Sequence, residues 1–170
     1  MISFGLVRRA AGAAAIAAAF AVPAVAHAQT PLNVSVTVNT ALSVSVQQAL
    51  LFGVLVPGSN LTIDAQTSAS AGRYEISGTG GSTVNVSITY PATLTDGTNT
   101  VNLSTYSASS SATVGGARSV INTPVGQVIS GTVVLNGGGL VEVWIGGKVT
   151  IPALAPANTY SGTVSMTANY

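Results

Sequence analysis

Cysteine is absent from this chain, histidine occurs once, and the charged side chains number only five Lys or Arg and four Asp or Glu in 170 residues. Each shortage removes a class of chemistry. Without cysteine there can be no disulfide, no thiolate nucleophile and no sulfur ligand for a metal. The one histidine, His27, falls in a segment that reads as a secretory leader. Arg8 and Arg9 precede the small-apolar run Ala10–Val22, which is followed by Pro23 and the small-x-small triplet Ala26-His27-Ala28. That run ends well short of the roughly 20 residues a spanning helix needs, so cleavage after Ala28 is expected rather than anchoring. Removal of residues 1–28 would take the only imidazole with it. Ser-His-Asp and Cys-His arrangements then become impossible, and the expectation is that the protein is not an enzyme and has no catalytic residues.

Beyond the leader, Arg73, Arg118 and Lys148 stand against Asp64, Glu75, Asp96 and Glu142. No basic patch remains for nucleic acid or anionic lipid. Carboxylate pairs for glycoside hydrolysis would have to be drawn from those four acids, and no aromatic-rich groove accompanies them. Zinc and iron lack nitrogen and sulfur ligands, and Asp96-Gly97-Thr98-Asn99 reads as a hairpin turn rather than a calcium loop. The glycine clusters have neither the Lys-Ser/Thr ending nor the following helix of a phosphate loop. No metal and no cofactor are expected. Trp144, between Val143 and Ile145, is read as a core or interface residue.

What the chain has instead is a dense series of strand signals. From Leu32 to Val46 the apolar residues Leu32, Val34, Val36, Val38, Leu42, Val44 and Val46 alternate with polar ones, blurred only at Thr40-Ala41. At roughly 3.3 Å per residue this stretch would reach about 50 Å, too long for one ordinary strand. Two strands in series are expected, with the break near Thr40-Ala41. Further runs lie at Leu50–Val56, Leu61–Ile63, Tyr74–Ile76, Val84–Tyr90, Val101–Leu103, Val128–Leu135, Leu140–Ile145, Val149–Ile151 and Tyr160–Ala168. Pro57-Gly58, Gly80-Gly81, Asp96-Gly97, Gly115-Gly116, Gly137-Gly138-Gly139 and Gly146-Gly147 separate them as turn chemistries. The stretch Thr105–Ala117, with Ser-Ala-Ser-Ser-Ser inside it, reads as an exposed loop. Short strands at this spacing predict an all-β sandwich. The domain plan is a leader at 1–28, an N-terminal arm at 29–40 and a β-sandwich at 41–170.

The arm Leu-Asn-Val-Ser-Val-Thr-Val, the Leu51-Phe52-Gly53 turn into Pro57-Gly58, and the segment Tyr160-Ser161-Gly162-Thr163-Val164-Ser165-Met166-Thr167 resemble secreted bacterial pilin-like sandwiches. Within that group the sequence is similar to an uncharacterised family of secreted proteobacterial proteins ending in a Tyr-x-Gly-x-strand-Tyr pattern. It also resembles the major subunits of alternate-type chaperone–usher fimbriae. The resemblance implies an immunoglobulin-like fold lacking its last strand, completed by the arm of a neighbouring subunit. Under it, Leu32, Val34, Val36 and Val38 would be the inserted side chains, and Tyr160, Val164, Met166 and Tyr170 would mark the acceptor-edge strand. Partners would be the protein itself or related subunits, with a periplasmic chaperone and an outer-membrane usher.

The leading expectation is therefore an exported structural subunit, fimbrial or coat-like, located in the periplasm, at the cell surface or outside the cell. The alternative is a monomeric surface or periplasmic binding module that uses Thr105–Ala117. On that alternative the arm folds back as an ordinary edge strand. A third reading, an outer-membrane β-barrel, needs spans of about 9–11 residues and two aromatic girdles, which the seven aromatics after the leader do not supply.

Overall fold

A computed structural model describes residues 35, 36 and 38–170. The leader, and with it Leu32 and Val34 of the arm, lies outside the described residues. Ten strands form, all paired antiparallel, and no helix occurs among the described residues.

The longer sheet is organised on β9, Leu140–Thr150. Along one edge β9 pairs first with β3 (Gly72–Ser77) and then with β2 (Asn60–Ile63). Along its other edge it pairs with β6 (Thr100–Ser111). Outward from these, β1 (Ser43–Gln48) pairs with β3, while β5 (Thr93–Thr95) and β7 (Ser119–Val120) pair with β6. The second sheet is β4 (Thr83–Thr89) flanked by β8 (Val128–Val134) and β10 (Ser165–Asn169). β4 shows why a strand forms there. Val84, Val86 and Ile88 are buried while Thr83, Asn85 and Thr89 face out, the period of two that a half-buried strand requires. Side chains of both sheets meet in one core: Val84, Val86, Ile88, Ile129 and Val133 from the shorter sheet, Ile76, Ala108, Val141, Val143 and Ile145 from the longer.

β9 is buried on its other face too. Glu142, Trp144 and Gly146 point there, beneath the segment that carries Ile63, Ala65 and Ala71. Two cations lie over the Trp144 ring, with the Arg118 guanidinium carbon 3.4 Å and that of Arg73 5.1 Å from the ring centroid. Arg73 donates to Glu142 at 2.7 Å, and Gly115 N–H donates to the second Glu142 oxygen at 3.0 Å. Arg118 in turn donates to the Ala65 and Ser68 carbonyls, holding the covering segment down. Trp144 is thus a core residue, as expected from its neighbours.

Three sequence readings are corrected by the structure. Gly146-Gly147 is not a turn but the middle of one continuous strand, so Leu140–Ile145 and Val149–Ile151 are a single element and Lys148 is a strand residue. A Cβ on Gly146 would collide with the Ile63 carbonyl oxygen and the Ala65 nitrogen, so glycine is there because another backbone crosses the strand. Thr105–Ala117 is not an exposed loop. Its first half continues β6, where Ala108, Ser109 and Ser111 are buried, and Ser109 Oγ donates to the Ala65 carbonyl at 2.8 Å. Small hydroxyl residues serve there because the strand is covered on both faces. The run Leu50–Val56 is not a strand either. It is an unpaired crossing in which Leu50, Phe52 and Leu55 pack inward, with Gly53 at φ 71°.

Asp96-Gly97-Thr98-Asn99 is the β5–β6 hairpin turn, with Gly97 at φ 99°. Asp96 accepts from the Thr98 and Asn99 backbone N–H groups and from the side-chain amides of Asn99 and Asn158. The two backbone donors, from Asn99 and Thr98, contribute most to holding its carboxyl down at about 2 against an ordinary 3.8.

Two measurements check these assignments. Gly146→Ala should lower stability in urea denaturation by about 2–3 kcal/mol. Gly147→Ala, whose new methyl would find ordinary contacts at 3.5 Å, should cost less than about 1 kcal/mol. Because folding lowers the Asp96 pKa, its contribution is fully present above pH 3.8 and is lost as pH falls through about 2. Asp96→Asn should therefore lower the melting temperature at pH 6 and leave a smaller difference from the parent at pH 2.

Candidate functional site

The two sheets meet along a seam between edge strands β1 and β10. β1 occupies the end of the longer sheet and β10 the end of the shorter one. No backbone hydrogen bond joins them among the described residues. They run in opposite directions, since Thr40, just before β1, meets Tyr170, just after β10, while Tyr74, opposite Val46, meets Val164 at the far end.

Both walls of the seam are apolar. On β1, Val44 and Val46 lie opposite Ile76 and Tyr74 of β3 and share their face, the one turned toward the core. Ile76 is fully buried, yet Val44 and Val46 are 38% and 67% exposed, because among the described residues no strand lies beyond β1. On β10, Met166 and Ala168 lie opposite Ile88 and Val86 and pack on the core with Val164, whereas Ser165, Thr167 and Asn169 face out. The Tyr74 hydroxyl donates to the Val164 carbonyl at 2.8 Å, and burial raises the Tyr74 pKa. That bond shows which way β10's backbone is turned. Residues two apart present N–H and C=O to the same side, so Met166 and Ala168 turn theirs to the seam with Val164.

The other edge of the shorter sheet is guarded. Beyond β8, Asn122 Nδ2 donates to the Ser130 carbonyl at 2.8 Å, Val125 and Val128 exchange backbone hydrogen bonds, and Ile121 lies close against Gly131. An open edge invites pairing with another chain, and proteins ordinarily blunt it. Among the described residues β8 is blunted and β10 is not.

The expected site residues separate on the structure. Val164 and Met166 line the seam, and Tyr170 closes one end of it. Tyr160 does not lie on this edge. It packs on the cluster of Val101, Leu103 and Val149, with its hydroxyl donating to the Pro156 carbonyl. Of the arm, Val36 and Val38 are each 85% exposed. Val44, Val46 and Tyr74 were not singled out from sequence. Their alternation was visible, but nothing in it says that β1 and β10 are the edges that meet. The four acids are placed apart from the seam. Asp64 accepts from the Gln66 N–H, Asp96 caps its turn, and Glu75 and Glu142 sit opposite each other on β3 and β9, Glu142 already bound by Arg73 and Gly115.

A family model described as "Domain of unknown function (DUF4402)" matches residues 28–170. The chain belongs to the DUF4402 family. The DUF4402 match takes in every strand of both sheets, so the seam lies within the family's domain rather than in an addition to it. No curated protein matches the chain.

An open seam makes a thermodynamic statement that can be checked. Val46→Thr, at a side chain already two-thirds exposed, should change the stability of the domain by less than about 0.5 kcal/mol in urea denaturation. Ile76→Ala, at its fully buried neighbour on the same face, should cost about 2–5 kcal/mol. Equal costs would mean that the seam is closed in solution.

Proposed function

We propose that this DUF4402 protein is a non-enzymatic, exported structural subunit, pilin-like or coat-like, that joins to copies of itself by β-strand addition. The supporting observation is the apolar seam between β1 and β10, where inward-facing Val44 and Val46 are exposed beside a strand edge that has no partner among the described residues. In this reading the two sheets are an immunoglobulin-like sandwich that lacks one edge strand, and the alternating arm of another copy supplies it. The arm has the chemistry required. Leu32, Val34, Val36 and Val38 present one apolar face at the spacing of a strand. Fully burying four such side chains contributes roughly 6–12 kcal/mol before ordering costs. Backbone pairing along β10 adds direction, and the alternate side chains set register. The resemblance to fimbrial subunits favours export through a cleaved leader and partners that include a periplasmic chaperone and an outer-membrane usher.

A monomeric binding module of the same fold is the second reading. The observation in its favour is a shallow, open depression of about 400 Å³ on the outer face of the shorter sheet, lined by Asn85, Ser87, Ser130, Thr132, Thr167 and Asn169.

Removal of residues 29–39 and addition of a synthetic Leu32–Asn39 peptide tests the first reading against the second. At a peptide concentration of about 100 times its Kd, the truncated protein should gain about 2.7 kcal/mol of stability against denaturant. A peptide with Val34 and Val36 replaced by Ser should give none. Absence of protection by the native peptide, with the intact protein monomeric by sizing chromatography, would favour the monomeric module.

A further inference from the structure

At the mouth of the seam three hydrogen bonds close a small ring around Thr40, the residue where arm and domain meet. Thr40 N–H donates to Thr79 Oγ1 at 2.6 Å, the Tyr170 hydroxyl donates to the Thr40 carbonyl at 2.6 Å, and Thr79 N–H donates to the Tyr170 hydroxyl oxygen at 2.7 Å. Both backbone groups of Thr40 are therefore engaged. Gly78 provides the room, since a Cβ there would meet the Tyr170 hydroxyl and Leu42 Cδ2. On the other side of Thr40, Val38 and Asn39 are exposed.

The position of this ring matters because of what the arm would have to do to fill its own seam. Leaving from Thr40 beside Tyr170, it would reverse and lie against β1 as a hairpin, parallel to β10. A two-residue reversal at Thr40-Ala41 asks for positive φ at residues that resist it, one of them β-branched. The backbone bonds that hold Thr40 would also be given up in the turn. The arm of a second copy meets neither obstacle. It can enter with either polarity and can pair antiparallel with β10, continuing the pattern of the β10–β4–β8 sheet.

We propose that Tyr170 and Thr79 form a latch on Thr40 that withholds the arm from its own seam and so directs it to a second copy of this chain. This rests on the strand-addition reading and adds to it a determinant of partner choice. The latch consists of hydrogen-bonding groups outside the apolar walls. Its removal should therefore shift the balance between self-capture and exchange without destroying the seam.

The test uses the intact chain and two near-isosteric variants, Tyr170→Phe and Thr79→Val, each missing one hydroxyl of the ring. Circular dichroism confirms folding, sizing chromatography over a dilution series measures assembly, and hydrogen exchange of the monomer fraction follows the Met166 and Ala168 amides. The parent should assemble, and each variant should need about tenfold more protein to reach half-assembly, the loss of one or two net hydrogen bonds. Variant monomers should exchange those β10 amides more slowly than parent monomers, because with one hold on Thr40 removed their own arm covers the edge part of the time. Replacing Thr40-Ala41 by Asn-Gly in the Tyr170→Phe background supplies favourable turn residues and should give a predominantly self-closed monomer. Assembly of both single variants at the parent's concentration would overturn the latch. Should Tyr170→Phe fail to fold, Thr79→Val decides alone. A parent that stays monomeric with fast-exchanging β10 amides would instead overturn the strand-addition reading itself.

Discussion

β9 is paired along both edges and buried on both faces, and the rest of the domain is arranged to make that possible. One face supplies Val141, Val143 and Ile145 to the core between the sheets. The other carries Glu142 and Trp144, a carboxylate and a large ring that need cover and partners. Arg73, Arg118 and the Gly115 backbone provide them, so that two of the three cations beyond the expected leader are spent on one strand. With no disulfide to hold the covering segments, this stack, the crossing at Gly146 and the hydrogen bonds of Ser107, Ser109 and Gln48 to residues 65–71 fix them to the sheet. The loss of one partner in such a cluster ordinarily costs several kcal/mol, because the remaining charge stays buried.

A longer sheet consolidated in this way leaves its weakness at the periphery. Among the described residues β1 pairs with no strand but β3, and its other edge faces the seam. The contrast with β8 is informative. The 121–128 segment guards one edge of the shorter sheet, whereas the opposite edge, at β10, shows exposed valines across from it and, among the described residues, no backbone partner. Burial of apolar surface drives association, and unmet backbone groups direct it. A seam with both properties, in a chain whose residues 32–38 carry a matching alternation, is the physical basis of the proposed assembly. The Thr40 ring then bears on which copy of the arm is used.

Much of this was legible in sequence where the physical signal was local. The alternation of Val84, Val86 and Ile88 gave β4, Asp96-Gly97 gave its hairpin, and Trp144 among apolar neighbours gave a core residue. The errors share a cause. Gly146-Gly147 and Ser107–Ser111 carry the small residues that mark turns and loops, but Gly146, Ser107 and Ser109 are small because residues 63–65 cross over them. Leu50–Val56 is apolar like a strand, yet it covers two clusters without pairing. Local composition cannot distinguish a chain that bends in solvent from one that is straight under another chain. The candidate site was half legible for the same reason. The alternation of Met166 and Ala168 on β10 was visible, while Val44, Val46 and Tyr74 matter only once β1 and β10 are known to be edges that face each other.

The absence of cysteine makes the central claim open to a clean chemical test. Protein carrying Val36→Cys is mixed with protein carrying Met166→Cys under mild oxidation, and the products are separated by non-reducing electrophoresis and identified by mass spectrometry. Strand addition between copies predicts a disulfide joining position 36 of one chain to position 166 of another, formed in preference to either homodimer. A mixture that yields only homodimers, together with a double variant that closes its disulfide exclusively within one chain, would contradict it.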